Sequence, residues 1–439
     1  MSLTSIVILI VASIFIFIIL GVPVFAGLGA AGIIGLLLLQ TRLTSAAATA
    51  LIAIPQNIFT GIGYFALLAI PLYILAGELM NEGGITQRLI KFTVMLIGRV
   101  PGSLAHANII ASLFFGGITG SAQADTSCIG GILIPAQVDE GYTPEFSVAV
   151  TASSSTLGPI IPPSNMMVLY GVTVGCSIST LFMAGFVPGI LIAIAECVVV
   201  ILLNRTEHFP RREEKYSKAE IRSICKNAVM PLVMPVIIVG GIVSGIVTPT
   251  EAGALAVIYA LLISVFALRT VSFKTLWDIL VRTATSSAAI FMIIAFAKVA
   301  SYSLAALNMT TLVKELFLSF SHSPYVYLML VNILLLIMGM FMDGGASVLL
   351  LAPILHPIAV SLGINEIHFG LIMVLNLVIG LGTPPLGQCT YIACKIADID
   401  VWKGFKAMIP FLIAEIIILM LVTYVEPLTM FIPRMLGMV

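Results

Sequence analysis

Two stretches of this sequence, GGITGSAQADTS at 116–127 and SSTLGPIIPPSN at 154–165, have the composition of loops yet lie inside long apolar runs. Hydrocarbon does not tolerate irregular backbone unless protein or a cavity covers it. A chain with such loops at membrane depth must fold around them, satisfying their freed backbone groups with protein or ligand. The depth follows from composition. Of 439 residues, 60% are hydrophobic and 9% charged, and mean hydropathy is +1.17. No soluble domain buries that much apolar side chain. The runs are continuous rather than alternating, which excludes a transmembrane barrel and leaves an all-α polytopic membrane protein.

Formal net charge is zero, so nothing points to nucleic acid. The six cysteines show no CxxC spacing and read as small apolar residues. The five histidines have no partner at helical spacing, so no metal other than a transported ion is expected. Residues 27–32, GLGAAG, match the dinucleotide fingerprint, but that motif needs a strand before it. Inside a membrane span its small residues serve close helix packing. No P-loop motif is present, and no cofactor is expected. The N-terminal apolar run lacks early basic residues and reads as a retained helix rather than a cleaved signal.

Spans of about 20 apolar residues are predicted near 4–20, 22–40, 62–82, 178–203, 228–246, 251–269, 286–306 and 407–431. Amphipathic pieces are predicted at 85–100 and 271–285. The regions 104–175 and 324–396 are interrupted. Each reads as a hairpin that enters and returns, followed by a broken helix. The polar stretch 204–226 holds seven basic residues and is placed in the cytoplasm. Threading the chain from there puts only Arg42, Lys314 and Arg434 of the 20 basic residues outside, with Lys298 inside a span. Both termini then face the outside.

A shift of 222 residues lays Gly117 on Gly339, Pro135 on Pro357, Gly141 on Gly363, Gly158 on Gly380 and Pro162–Pro163 on Pro384–Pro385. A shift of 226 lays Pro23, Ala26, Gly27 and Ala30 on Pro249, Ala252, Gly253 and Ala256. The chain therefore divides into a first repeat at 1–203, with hairpin 104–137 and broken helix 144–175. The loop 204–226 follows, then a second repeat at 227–439, with hairpin 324–360 and broken helix 366–396. The derived topology inverts the two copies. Inverted repeats with discontinuous helices mark a secondary transporter whose site lies near the midplane.

Helix breaks free carbonyls, which with hydroxyls suit a small hard cation, and N-terminal amides, which suit an anion. Thr119, Gly120, Ser121, Ser154 and Gly158 are candidates for one sodium site. Gly339, Asp343, Gly344, Gly380 and Thr383 are candidates for a second. Ser155, Pro162, Ser164, Asn165 and Pro385 are candidate contacts to a substrate carboxylate. Asp125 is grouped with them, although ion ligand and helix cap remain open for it. Glu78 and Glu82 read as solvated, Glu251 as a first-turn acid, Asn376 as an interhelical hydrogen-bonding residue, and Lys298 as snorkelling or paired.

The run GITGSAQADT at 117–126 resembles the signature of the large membrane subunit of TRAP (tripartite ATP-independent periplasmic) transporters. So do PLYILAGELMNEGGIT at 71–86, GPIIPPS at 158–164, GIVTPTEAGA at 245–254, INEIHFG at 364–370 and GLGTPPLG at 380–387. Thr119 stands where the family commonly has Ser, which keeps the hydroxyl. The resemblance covers nearly the whole chain. It implies the ion-transporter-superfamily fold, a small four-helix membrane subunit as partner and a periplasmic substrate-binding protein. It also implies sodium-driven import of an organic acid, such as a dicarboxylate, sugar acid or sialic acid, across the bacterial inner membrane. An elevator motion would slide a transport domain against a scaffold, linked by arms at 43–60 and 271–285. A stand-alone sodium/carboxylate symporter of similar architecture is the nearest rival. An aspartyl protease built on Asp125 and Asp343 and a passive anion channel are more distant ones.

Overall fold

The computed structural model describes residues 6, 9–10, 12–14, 16–17, 20–40, 47–211, 216–320 and 323–439. Most of the first predicted span, Arg42, and the start of the 43–60 arm lie outside the described residues, as do positions 212–215. Among the described residues there is no strand, and eight helices are long and apolar enough to cross a membrane.

The helices are α1 (Val24–Gln40), α2 (Ala47–Ile62), α3 (Ala69–Glu82), α4 (Ile85–Ile97), α5 (Ser103–Thr119), α6 (Ala122–Asp139), α7 (Pro144–Ser154), α8 (Asn165–Val174), α9 (Ile178–Glu207) and α10 (Lys218–Val243). They continue with α11 (Pro249–Leu261), α12 (Phe273–Ala306), α13 (Met309–Phe320), α14 (Pro324–Phe341), α15 (Gly344–Ser361), α16 (Glu366–Gly380), α17 (Gln388–Ala397), α18 (Val401–Tyr424) and α19 (Pro427–Met435).

Four features differ from the sequence expectation, the first being that the last predicted span, 407–431, breaks at Val425 between α18 and α19. The amphipathic piece 271–285 and the span 286–306 form one 34-residue helix, α12. At 1.5 Å per residue it is about 51 Å long, well beyond a bilayer core of about 30 Å. No Gly or Pro interrupts 273–306, and polar TATSS at 283–287 is compatible with helix. The polar stretch 204–226 shrinks because helix enters it from both ends. His208, at φ 53°, closes α9, and a Ser217–Glu220 capping box opens α10. The segment after α12 contains a further helix, α13, which hydropathy did not separate.

The helices pack in two groups. In one, α12 lies against α1, α2 and α3, while α3 and α10 pack on α11. The glycines of GLGAAG act here as spacers. A Cβ on Gly32 would come within 2.8 Å of the Ala300 amide nitrogen, so α1 and α12 touch backbone to backbone. Fully buried Tyr73 donates to the Pro249 carbonyl at 2.6 Å, tying α3 to the capped start of α11. Glu251 completes that cap with Thr248. Tyr73→Phe is expected to lower stability by about 1 kcal/mol, read as a drop in unfolding temperature with no change in substrate affinity.

In the other group the interrupted segments of the two halves interleave. Helix α17 packs on α6 and α7, α8 on α15, and α18 on α7. Asn376 donates to Asn332 Oδ1 at 2.7 Å, joining α16 to α14 without reaching a cavity.

Candidate functional site

Each interruption has a local cause. Helix α5 ends at Gly120, in the left-handed region at φ 61°, where its N–H returns to Gly116. A Cβ at Gly120 would also lie 2.5 Å from the Pro163 carbonyl oxygen. Ser121 then turns to extended backbone and caps α6. Helix α7 ends in the turn 155–157, the Pro162–Pro163 bond is cis, and Ser164 caps α8 by accepting from Met167 N at 3.2 Å. In the second half, α14 ends at Phe341 and Asp343 caps α15, its Oδ1 accepting from Gly345 N at 2.9 Å and Ala346 N at 3.3 Å. Helix α16 ends at Gly380, the Pro384–Pro385 bond is cis, and α17 starts at Gln388 after left-handed Gly387.

Glycines bring the breaks together in pairs. A Cβ on Gly116 would meet Gly158 Cα at 2.8 Å, and one on Gly380 would meet Gly339 Cα at 2.5 Å. Only hydrogen fits at either crossing.

A cleft runs between these breaks and one face of α12. Its central part is lined by Gly120, Ser121, Gln123, Asn165, Asp343, Gly345, Ile290 and Ile293. One end adds Thr119, Glu78, Asn81 and Ser286. The other is bounded by Asn57, Tyr64, Thr173, Lys298 and Ser301. The starts of α6, α8 and α15 therefore converge on one space. Helix N-termini carry partial positive charge and unpaired amides, so their convergence suits an anion. Thr119 Oγ1 and Asn165 Oδ1 are buried without a hydrogen-bond partner.

The sequence candidates separate at this point. Thr119, Gly120, Ser121, Asn165 and Asp343 line the cleft. Asp125 does not, and the cap of α6 is Ser121. Asp125 is fully buried behind the break, its Oδ2 accepting from Ser112 at 2.8 Å, with Ser154 Oγ 3.2 Å from the same hydroxyl. Ser155 donates to the Thr151 carbonyl at 2.7 Å, and Ser164 is committed to its cap. Pro162, Gly158, Gly339 and Gly380 are buried in the crossings rather than in the cleft. Thr383 donates to the Gly380 carbonyl at 2.8 Å, and Gly344 packs on Met166, while Pro385 is exposed elsewhere. Asp125 and Asp343 have separate partners, and no hydrogen bond joins them as a protease dyad requires.

Sequence reasoning missed the two glutamines that join the halves. Gln123 Nε2 donates to Gln388 Oε1 at 2.8 Å and lies 3.5 Å from Asp343 Oδ2. The signal was present: Gln123 sits three residues past Gly120 and Gln388 directly follows Gly387, each at the glycine of a break. Glu78 and Glu82 are partly exposed, as the sequence reading has them, and both also pair with Arg282, at 3.3 Å and 2.7 Å. Lys298 has no ion pair among the described residues and faces the cleft end.

A helical membrane protein whose helix breaks meet in a cleft between two packed groups belongs to the class of membrane transporters. Comparison makes this specific. The family described as Tripartite ATP-independent periplasmic transporter, DctM component, matches residues 11–428. The chain belongs to that family: it is a TRAP transporter large subunit and a multi-pass protein of the inner membrane, not an enzyme. It is 35% identical to the sialic acid TRAP transporter large permease protein SiaM of Vibrio cholerae, over 87% of this chain and 89% of that one. It is 34% identical to the C4-dicarboxylate TRAP transporter large permease protein DctM of Rhodobacter capsulatus, over 87% and 90%. The crystal structure of the Alcanivorax borkumensis YdaH transporter is similar in fold, with a TM-score of 0.59 and 14% identity over 87% of this chain and 88% of that one.

Proposed function

We propose that this chain is the membrane-spanning carrier of a sodium-coupled importer for an organic acid anion. The observation that carries the reading is the convergence of three helix N-termini, those of α6, α8 and α15, on one cleft. A carboxylate there would meet the first-turn amides of α6 and α8 not taken by the Ser121 and Ser164 caps, and the side chains of Ser121, Gln123 and Asn165, while Asp343 itself takes the Gly345 and Ala346 amides of α15. The names of the relatives point the same way, since sialic acids and C4-dicarboxylates all carry carboxylates. Sodium would bind beside it. The first break offers Thr119, Gly120 and Ser121, with Ser154 and Gly158 behind. The second offers Gly339, Asp343 and Gly344, with Gly380 and Thr383 behind. Asp343 brings the negative charge that a cation needs.

The repeat halves at 1–203 and 227–439 would act as an inverted pair. The interleaved group would move as the transport domain against the group built on α12, in an elevator cycle. A small four-helix membrane subunit and a periplasmic binding protein would complete the system, with both termini of this chain periplasmic. The test is uptake into proteoliposomes containing both membrane subunits, supplied with loaded binding protein. Uptake should follow an inward sodium gradient and stop when choline replaces sodium. Equal uptake in choline overturns the coupling, and full uptake without binding protein favours a stand-alone symporter.

A further inference from the structure

Away from the cleft, two carboxyl groups meet in the interior. Glu196 of α9 and Glu415 of α18 are both fully buried. Ser153 of α7 stands between them, its Oγ 2.7 Å from Glu196 Oε1 and 2.8 Å from Glu415 Oε1. Thr156 Oγ1 donates to the same Glu415 oxygen at 3.1 Å. The other oxygen of each group, Glu196 Oε2 and Glu415 Oε2, is buried without a hydrogen-bond partner. No basic side chain among the described residues forms an ion pair with either. The titratable groups that face the pair are Asp125 of α6, Cys389 of α17 and Cys197 on α9 itself, none of them cationic. Arg205 and Glu207 of α9, Lys395 of α17 and Lys406 of α18 are exposed at the surface, and the other groups on neighbouring helices are held elsewhere. His368 bonds Thr429 and Thr423, Glu145 pairs with Lys403, Glu426 pairs with Arg434, and His106 sits with Val200 and Phe209 around Gly102.

A serine hydroxyl has one proton to give. It can donate to one glutamate only, and the second short contact then needs its proton from the other carboxyl. Two ionised carboxylates this close, far from water and without a cation, would also repel strongly. A single shared proton supplies the missing donor and removes one charge. We propose that Glu196 and Glu415 bind one proton between them across Ser153, forming a proton site of this chain separate from the cleft. The inference does not depend on what the cleft carries. The site lies on the interleaved group of helices, one residue from Ser154 and so next to the Ser112–Asp125 hydroxyl chain. Glutamine at either position replaces the O–H donor with an N–H donor of similar shape. It leaves the remaining glutamate ionised, so the net charge of the pair is unchanged.

The test is infrared spectroscopy of the full-length chain in lipid nanodiscs at neutral pH. Wild type should show a protonated-carboxyl C=O band that shifts in heavy water. E196Q and E415Q should each lose that band, while D125N and D343N should keep it. Each glutamate variant reads the site independently, so one that fails to fold leaves the other as the test. No such band in wild type, or its survival in a folded E196Q or E415Q, would overturn the proposal. So would loss of the wild-type band when sodium replaces choline, which would make the pair a sodium site instead.

Discussion

Gly380→Ala is expected to abolish transport and leave little folded protein. A Cβ at Gly380 would lie 2.5 Å from both Cα and the carbonyl carbon of Gly339. The obstructing atoms are backbone in the middle of a packed crossing, so no side chain can swing aside. Overpacking a core costs about 1–3 kcal/mol when side chains can adjust, and a backbone obstruction belongs at or above the top of that range. The clash also forces α14 and α16 apart, which displaces Asp343 and the start of α15 from the cleft. The measurement is the yield of monodisperse protein and its unfolding temperature, followed by uptake. Gly131→Ala is the control. That glycine lies in α6 with nothing within 4 Å of an added Cβ, so the change should be neutral or gain about 0.5–1 kcal/mol of helix stability. A Gly380→Ala protein with wild-type stability and uptake would show that the close crossing is not required.

Asp343→Asn should separate two roles that one side chain performs. Asp343 Oδ1 caps α15, whereas Oδ2 faces Gln123 at 3.5 Å across the junction of the halves. Asparagine caps a helix about as well as aspartate, so the unfolding temperature should stay close to wild type. The charge is lost. Hydrogen bonds and contacts to a charged group are worth about 1.5–3 kcal/mol. If Asp343 faces a sodium ion, the sodium concentration for half-maximal uptake should rise about tenfold to a hundredfold. Asp343→Ala removes the cap as well and should cost about 1 kcal/mol of stability in addition. Unchanged sodium dependence in Asp343→Asn would leave the residue as a helix cap alone.

Much of the architecture was legible because it rests on local chemistry. The GLGAAG glycines in an apolar run read as packing spacers, and Gly32 indeed touches the Ala300 backbone. Glu251 after Pro249 reads as a first-turn acid, and it forms a capping box with Thr248. The cleft was legible only in part. Asp125 and Asp343 look alike in sequence, each a carboxylate within a Gly-rich break. Four residues separate the break at Ser121 from Asp125, about one helical turn, and that turn carries Asp125 back towards Ser112. Asp343 begins its helix and so remains at the break.

What the sequence determined by itself is the helical membrane class, the positions of the breaks and the first-turn acid of α11. Glycine, proline and capping hydroxyls act on their own backbone, within a few residues, and need no partner from elsewhere in the chain. What only the tertiary structure decided is which polar groups share a space. Gln123 reaches Gln388 across 265 residues, and Ser153 holds Glu196 and Glu415 from helices 43 and 262 residues away. Those meetings follow from how the interrupted segments of the two halves interleave. That interleaving is set by backbone contact at glycines and by mutual burial, quantities that no local pattern records.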